Sequence, residues 1–228
     1  MNGNILKAVS VLIALMWSTS SLAGPMLCNI DPTAPCLMDT GDELFSVSDI
    51  DGLDDDITSF IIGRNAGFSN AAGIYDPLDP TRTLELWGGS VSAGFGSGVV
   101  LNYNNVTDTY AIEGQPALFL DLTDPIFGMY IDTGSDVWFS EAFRNTDGFD
   151  HLLTFATEGQ GGSTNGFDLV FAWEDLSGGG DMDYNDIVYG CIDCVPRAAV
   201  PAPTPLLLMG AGLLALGLMR RKHNASTQ

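Results

Sequence analysis

Basic residues are scarce in this sequence, and their scarcity excludes a class of partner. The 228-residue chain has eight Lys and Arg residues against 29 Asp and Glu. All 29 acidic residues lie within residues 24–200, which hold four arginines and no lysine, so the net charge of that region is 4 − 29 = −25. A surface of this kind repels nucleic acid and anionic lipid and attracts cations. The sequence therefore predicts no nucleic-acid partner and favours bound cations.

Recognisable catalytic motifs are also lacking, so we expect no catalytic residues. His151 is the sole histidine within residues 24–200, which is too few for a histidine-based zinc or iron centre. No Gly-x-Ser-x-Gly elbow accompanies it, and the Gly-rich residues 88–98 lack the Gly-Lys-Ser/Thr ending of a phosphate loop. We interpret His151 as a structural residue that bonds a loop carboxylate. Paired carboxylates for glycoside hydrolysis stay open, since many pairs of acids are available.

Long amphipathic helices are missing, and short aromatic or β-branched runs take their place. Gly, Asn, Asp and Pro bound these runs, which is typical of an all-β fold, a β-sandwich or jelly roll. The predicted strands are 58–62, 83–87, 99–103, 117–122, 126–131, 137–140, 151–156, 167–173 and 186–189. Residues 25–45 look irregular, and residues 159–166 look like a hairpin connection. The length of residues 24–200 suits one domain.

The densest group of oxygen-bearing side chains follows the predicted strand 167–173, in which Phe167, Phe171 and Trp173 share one face. Gly178, Gly179 and Gly180 come next, where positive φ has no steric cost. The candidate ligands are Glu174, Asp175, Asp181, Asp183, Asn185 and Asp186. Five carboxylates so close together repel one another unless a cation or hydrogen bonds neutralise them. Because Ca²⁺ takes six to eight hard oxygen ligands, the sequence predicts a calcium site in this loop.

This loop is not an EF-hand, although Asp181, Asp183 and Asn185 have the spacing of its first half. The sixth position is Asp186 instead of Gly and the twelfth is Ile192 instead of Glu. The alternative to calcium binding is a solvated acidic turn between two strands. A second group of acids is either another calcium site or an acidic surface turn, and the sequence favours neither. Its members are Asp49, Asp51, Asp54 and Asp56.

Four cysteines are candidates for disulfides: Cys28 and Cys36 near the start of residues 24–200, and Cys191 and Cys194 near their end. Four cysteines allow three pairings, and disulfides are the default in an oxidising compartment. Pairing start to end would close the domain, whereas pairing neighbours would form two local loops that stabilise less. A four-cysteine zinc site and a redox-active Cys191-x-x-Cys194 are the less favoured alternatives.

Both ends of the chain have the pattern of targeting segments. Residues 1–23 have the charged start, short apolar core and small-residue cleavage site of a secretory signal peptide. At the other end, the proline motif Val200, Pro201 and Pro203 precedes an apolar run, residues 206–219. The basic cluster that follows it would stay on the cytoplasmic side: Arg220, Arg221 and Lys222.

This three-part tail resembles the PEP-CTERM sorting signal of Gram-negative bacteria, although Ala202 stands where the family name expects Glu. The resemblance implies an exosortase-type processing enzyme as partner and cleavage near the proline motif. It also implies an inner-membrane-anchored precursor that is delivered to the cell surface or exopolysaccharide matrix. The alternative is a plain C-terminal anchor that is never cut.

Three segments within residues 57–190 resemble the bacterial domain of unknown function 4114. They are residues 64–76, residues 137–155 and residues 173–189, the last being the most specific. That family occurs in secreted proteins, often with the PEP-CTERM tail, and a calcium-binding β-rich fold is the expectation for it. The resemblance implies no activity and carries over only the ion loop from Glu174 to Asp186.

The combined hypothesis is a secreted, surface- or matrix-sorted, calcium-binding structural or adhesive protein associated with bacterial exopolysaccharide. Its expected extracellular partners are exopolysaccharide or matrix proteins. The alternatives are an extracellular polysaccharide-acting enzyme and a non-catalytic glycan-binding module, for which Trp87, Trp138 and Trp173 are candidate sugar platforms unless they fill the core. The predicted division of the chain is signal peptide 1–23, Cys/Asp-rich segment 24–56, β-rich domain 57–194, Pro-rich linker 195–205, hydrophobic segment 206–219 and basic tail 220–228.

Overall fold

The computed structural model describes residues 24–48, 56–65 and 69–197, without the side chains of Phe60 and Phe95. The predicted signal peptide, sorting motif, hydrophobic segment and basic cluster lie outside the described residues, as do three acids of the second candidate site, Asp49, Asp51 and Asp54. Within the described ranges, no helix has the length and apolar character needed to cross a bilayer.

The described chain is nearly all β, as predicted. One helical turn, α1 (Leu27–Ile30), precedes thirteen described strands. They are β1 (Leu44–Val47), β2 (Asp56–Gly63), β3 (Ala71–Asp76), β4 (Asp79–Trp87), β5 (Val99–Asn104), β6 (Thr109–Ile112), β7 (Phe119–Asp121), β8 (Phe127–Asp132), β9 (Val137–Phe139), β10 (Leu152–Ala156), β11 (Leu169–Trp173), β12 (Ile187–Ile192) and β13 (Cys194–Arg197). Short 3-10 turns at Phe95–Ser97, Ala142–Arg144, Gly162–Thr164 and Ser177–Gly179 interrupt the connections.

The strands form two antiparallel sheets, which agrees with a β-sandwich. The first sheet has the order β13-β1-β8-β3-β4, with β9 also paired to β8. The second has the order β10-β11-β12-β2-β5-β6-β7. β10 and β11 are neighbours joined by residues 157–168, so the predicted hairpin connection is confirmed.

The main core contains apolar side chains from strands of both sheets, as expected when two sheets bury their facing sides against each other. Phe45 of the first sheet contacts Phe171 of the second, and Phe127 of the first contacts Tyr110 of the second, with ring centroids 4.9 and 5.3 Å apart. The three tryptophans considered as sugar platforms, Trp87, Trp138 and Trp173, are 2%, 2% and 0% exposed and therefore belong to the interior.

A second apolar cluster covers the opposite face of β11 and its neighbours. Val170 and Ala172 pack there with Leu153 and Phe155, and α1 contributes Leu27, which is 1% exposed. All five residues of β11 are consequently buried, although the alternating sequence predicted one aromatic face. Phe167 precedes the strand and packs against this second cluster, so its predicted place on the face of Phe171 and Trp173 is wrong.

Nine strands overlap the predicted ones, and four were not predicted: β1, β3, β6 and β13. Residues 25–45, predicted to be irregular, include α1 and the start of β1. β1 pairs with both β8 and β13, so this part of the chain belongs to the first sheet.

The cysteines pair locally, Cys28 with Cys36 and Cys191 with Cys194. This settles the pairing that the sequence left open in favour of two short loops. The second disulfide bridges the corner where the chain leaves β12 of the second sheet and enters β13 of the first. Asp193, between its two cysteines, has a φ of 61° at this corner.

Candidate metal site

The candidate ligands lie on the loop of residues 174–186, which connects β11 to β12. Trp173 and Ile187 are the last paired residues of these two strands, so the loop starts and ends at the same end of the strand pair. Gly178, Gly179 and Gly180 have φ values of 71°, 84° and 44°, as the sequence predicted. Met182 and Tyr184 also have positive φ, 58° and 52°, which is uncommon for residues other than glycine. The loop therefore folds back on itself, and its acidic side chains converge.

The acidic side chains form two sets that share Glu174. The first set consists of Glu174, Asp181 and Asp183; the second consists of Glu174, Asp175 and Asp186. Within each set, one carboxylate oxygen from each residue lies within 4.8 Å of the others. The structure thus brings together all five carboxylates that the sequence assigned to the loop. The second set is buried, whereas Asp183 is half-buried and Asp181 is exposed.

Glu174 holds the central position with an oxygen that has no hydrogen-bond partner. Its side chain is 0% exposed, and Oε2 is one of few buried polar side-chain atoms in the described chain that have no partner. Oε1 accepts only a long hydrogen bond from Leu176 N at 3.3 Å. A Cβ atom at residue 180 would lie 2.5 Å from Oε1, so Gly180 leaves the space that this carboxylate occupies.

Burial raises the pKa of two of these carboxyl groups. The pKa of Glu174 is raised to about 7 by burial and then by the charges of Asp186, Asp181 and Asp183. The pKa of Asp186 is raised to about 6 by burial and then by Asp175, Asp183 and Asp181. A divalent cation opposes both causes, because it replaces lost hydration and offsets the mutual repulsion.

Within the described ranges, no cationic side chain forms an ion pair with these carboxylates. The ion pairs there are Arg82–Asp76, Arg144–Glu141 and His151–Asp147, none of which involves a loop carboxylate of either set. Arg64 donates instead to two backbone carbonyls, those of Gly89 and Asn70.

Asn70 is a site residue that the ligand prediction missed. It is 0% exposed, and its Nδ2 donates to Asp175 Oδ2 at 2.7 Å. Its Oδ1 is buried without a hydrogen-bond partner, and the amide that carries it contacts Asp175 of the buried set. Asn70 and Asp175 are 105 residues apart, and sequence spacing therefore offers no signal for the contact.

Other hydrogen bonds that hold the loop in place come from neighbouring strands and turns. Trp138 Nε1 donates to Asp175 O at 2.8 Å, and Asp186 Oδ2 accepts from Asp175 N at 2.8 Å. His151 is the structural histidine that the sequence suggested, because its Nε2 lies 3.1 Å from Asp147 Oδ2. Its Nδ1 donates to Glu174 O at 2.7 Å, while its own carbonyl accepts from Glu174 N at 3.0 Å.

Asp147 connects the glycine-rich turn at residues 178–180 to His151. Its Oδ2 accepts from Gly178 N at 2.7 Å as well as contacting His151. Although partial burial opposes ionisation, hydrogen bonds from Gly178, Phe149 and His151 lower the pKa of Asp147 to about 2. The ionised carboxylate therefore holds the start of the loop against the turn that precedes β10.

The remaining predicted ligands have different places. Asn185 donates through Nδ2 to Asp183 Oδ2 at 2.6 Å, so it positions a carboxylate of the first set. Asp56, the described member of the second candidate site, begins β2 opposite Asn102 and is absent from both sets.

Comparison with known families supports part of the resemblance. The family model described as Domain of unknown function (DUF4114) matches residues 98–190. The resemblance was predicted over about residues 57–190, so its first segment, residues 64–76, lies outside the match, whereas the other two lie inside it. No curated protein and no solved structure matches this chain.

Proposed function

We propose that this protein is an exported, calcium-binding structural or adhesive component of a bacterial surface or exopolysaccharide matrix. The observation that supports calcium binding best is Glu174 Oε2, a buried oxygen without a hydrogen-bond partner among converging carboxylates. Carboxylates and amide oxygens are the ligands that Ca²⁺ prefers. Extracellular calcium modules bind with dissociation constants of about 10⁻⁴–10⁻³ M, so ambient calcium would keep such a site filled.

The mechanism is charge neutralisation that makes the loop rigid. Without a cation, the five carboxylates repel one another next to strands that are buried on both faces. With calcium bound, the loop is held at its centre by the ion and at its base by Trp138 and His151. The ion would also offset part of the −25 charge of residues 24–200, calculated as 4 − 29.

The proposal for location depends on the two ends of the chain. The signal-peptide pattern and the resemblance to a PEP-CTERM tail support export, processing by an exosortase-type enzyme and delivery to the surface or matrix of a Gram-negative bacterium. The C-terminal apolar run would hold the precursor in the inner membrane before processing. The local disulfides fit an oxidising compartment, and the acidic surface argues against a nucleic-acid partner.

A thermal melt of the purified, oxidised protein tests calcium binding. We expect a saturable rise in Tm when CaCl₂ replaces EDTA, and a smaller response to Mg²⁺, which requires octahedral geometry and retains its water. At 100 times the Kd, binding adds about 2.7 kcal/mol, or roughly 5–10 °C for a domain of this size. Glu174→Gln should abolish this increment, whereas Glu158→Gln, at an exposed glutamate, should preserve it. An unchanged wild-type Tm at millimolar Ca²⁺ would refute calcium binding.

Fractionation of the producing cells tests the structural or adhesive role. We expect the processed protein to stay with the exopolysaccharide during washes in Ca²⁺ and to be released by EDTA. Glu174→Gln should be released in either wash, and Glu158→Gln should behave as wild type. Equal retention of all forms in both washes would show that association with the matrix does not depend on the calcium site.

A second candidate function, glycan binding, is favoured by a cleft of about 690 Å³ beside β4, β8 and β9. Phe119 offers aromatic surface there, and Glu85 and Asp132 offer acceptors for sugar hydroxyls. Phe119 is 51% exposed, so it is available for stacking. Titration with exopolysaccharide oligosaccharides should show binding that Phe119→Ala removes, and product analysis of the same mixtures would reveal any hydrolysis.

A further inference from the structure

The two carboxylate sets meet at Glu174 without merging into one coordination sphere. Glu174 is the residue common to both sets, and within each the ligand oxygens lie within 4.8 Å of one another. Calcium–oxygen bonds of about 2.3–2.6 Å place two ligands of one ion no more than about 5 Å apart. Each set therefore has the size of one calcium sphere. Asp181 and Asp183 belong to one sphere, and Asp175 and Asp186 belong to the other.

Glu174 has two carboxylate oxygens that are available to bind metal ions, as a bridging ligand requires. A carboxylate has two oxygens and about four lone-pair positions, so it can bind one cation through each oxygen. Oε2 has no hydrogen-bond partner, and Oε1 accepts only from Leu176 N at 3.3 Å. Among the described groups around this residue, nothing competes strongly for either oxygen.

Asn70 gives an independent indication of a ligand on the buried side. Its amide is fixed beside Asp175 by the 2.7 Å hydrogen bond from Nδ2, yet its Oδ1 is buried without a partner. Burying an amide oxygen without a partner costs free energy. A cation bound by both Asp175 and Asn70 Oδ1 would remove this cost, and the neutral oxygen would add a ligand without adding charge.

The charge of the loop also exceeds what one divalent ion can balance. Five ionised carboxylates leave a local charge of −3 with one Ca²⁺ bound and −1 with two. The ion pairs of the described chain do not include any of these five residues.

We infer that this loop binds two calcium ions bridged by Glu174, an inference that rests on the calcium-binding function proposed above. The inner ion is held by Glu174, Asp175 and Asp186, with Asn70 Oδ1 beside it. The outer ion is held by Glu174, Asp181 and Asp183. Burial makes the inner site the tighter one, because fixed protein oxygens replace water there. The outer ion keeps part of its hydration, since Asp181 is exposed.

Isothermal titration of the intact, oxidised protein with CaCl₂ tests this inference. We expect two ions per chain with distinct affinities. Asp181→Asn should remove the weaker event or weaken it at least about tenfold, and should leave the tighter event nearly unchanged. Asp175→Asn should weaken the tighter event by a similar factor, while its side-chain oxygen can still accept from Asn70. Glu174→Gln should weaken both events, and Glu158→Gln neither.

Lanthanide luminescence tests the bridge itself, with TbCl₃ and EuCl₃ as probes. Trp138, bonded to the backbone of Asp175, is placed to sensitise Tb³⁺. Two ions that share a carboxylate lie about 4 Å apart, so mixed loading should give strong Tb³⁺-to-Eu³⁺ energy transfer. Asp181→Asn should abolish the transfer and keep the Tb³⁺ emission. Since Asp181 is exposed, this variant should fold, which near-UV circular dichroism will check.

The outcomes separate this inference from the proposed function. One ion per chain, weakened by both Asp181→Asn and Asp175→Asn, would overturn the two-ion site and leave calcium binding intact. Two ions without energy transfer would overturn the bridge. Absence of any calcium binding would overturn the proposed function and this inference with it.

Discussion

At the scale of single residues, the position of Glu174 depends on its backbone as much as on its side chain. His151 contacts both backbone groups of Glu174, through its ring Nδ1 and its carbonyl oxygen. The Trp138 ring stacks on the His151 ring with the centroids 4.0 Å apart. Its Nε1 donates a hydrogen bond to the carbonyl oxygen of Asp175, the residue after Glu174. This support comes from β9 and from the residue before β10, so the backbone that carries the carboxylate is held in place before any ion binds.

Gly180→Ala should weaken calcium binding more than its effect on the backbone alone explains. The new methyl group would lie 2.5 Å from Glu174 Oε1 and would displace the central ligand. Gly114→Ala is the matched control, because Gly114 also has positive φ but has no atom within 4 Å of an added Cβ. Both variants should lose about 1–2 kcal/mol of stability in EDTA from the positive φ. Gly180→Ala should lose more than Gly114→Ala, because its methyl group would also lie 2.6 Å from Leu176 Cβ. Calcium titrations should show a higher Kd for Gly180→Ala alone; equal Kd values would contradict the close contact.

Asp150→Asn should stabilise the protein at neutral and higher pH. Burial, and then the charges of Glu43 and Asp39, raise the pKa of Asp150 to about 7. The unfolded chain releases this proton near pH 4, so between pH 4 and 7 the folded state holds more protons and the free energy of unfolding falls as pH rises. Asparagine cannot ionise, and its oxygen can still accept from Leu152 N.

We therefore expect Asp150→Asn to gain about 1–2 kcal/mol at pH 8, after a discount for partial exposure, and close to nothing at pH 4. Urea unfolding in EDTA at both pH values measures the difference. Asp124→Asn, at an exposed aspartate, controls for the change in net charge. A gain of equal size at both pH values would show that ionisation of Asp150 is not the cause.

At the scale of elements, β11 and β12 have the metal loop at one end and a covered outer face along their length. The N-terminal segment provides that cover, because Leu27 belongs to the apolar cluster that contains Val170 and Ala172 of β11 and Val188 of β12. Thr40 N also donates to the carbonyl oxygen of Thr154, on the neighbouring β10, at 2.8 Å. The Cys28–Cys36 disulfide closes this segment into a loop. The segment and the metal loop therefore stabilise the same strands from different places.

Replacing Cys28 and Cys36 together with serine should destabilise the protein without removing its calcium response. The disulfide joins residues eight apart in sequence, and the loop-entropy model gives a loss of about 2–3 kcal/mol. Hydrogen exchange should accelerate at Leu27 and Asp31, whose amides donate within this segment. The rise in Tm with Ca²⁺ should match that of wild type. Loss of that response would show that the segment and the metal loop unfold as one unit.

The elements that the sequence predicted are those whose local pattern agrees with their final position. The missed strand β3 begins Ala71, Ala72, Gly73, which have low β propensity. Gly73 is nevertheless required there, because a Cβ atom would overlap the carbonyl oxygen of Leu84 on β4. β13 contains Pro196, which weakens a strand prediction but is tolerated at the edge of the first sheet.

The candidate site likewise has a part that the sequence predicted and a part that it did not. Ligand type and density along the chain predicted the five carboxylates, because they lie within one loop. Asn70, His151 and Trp138 reach the loop from other strands and turns, and nothing in their spacing could indicate the contacts. The disulfide pairing was likewise open, because four cysteines allow three pairings and their spacing does not choose among them.

At the scale of the whole molecule, the family match covers the metal loop but not every element that supports it. Residues 98–190 include β5 to β12 except the last residues of β12, and they omit β1 to β4. β2 lies between β12 and β5 in the second sheet, so the matched segment alone lacks a central strand. Asn70 also lies outside it. The loop therefore needs the larger domain to be held in place.

Salt and calcium should stabilise the protein in distinguishable ways. Residues 24–200 have a charge of 4 − 29 = −25, and this self-repulsion is screened as the Debye length falls from about 30 Å at 0.01 M to about 10 Å at 0.1 M salt. In EDTA, Tm should rise gradually with NaCl, equally for wild type and Glu174→Gln. At constant ionic strength, CaCl₂ should add a saturable step in wild type that Glu174→Gln lacks. If Mg²⁺ or NaCl at matched ionic strength reproduced the whole calcium effect, diffuse screening would explain it, and the buried oxygen of Glu174 would need another partner.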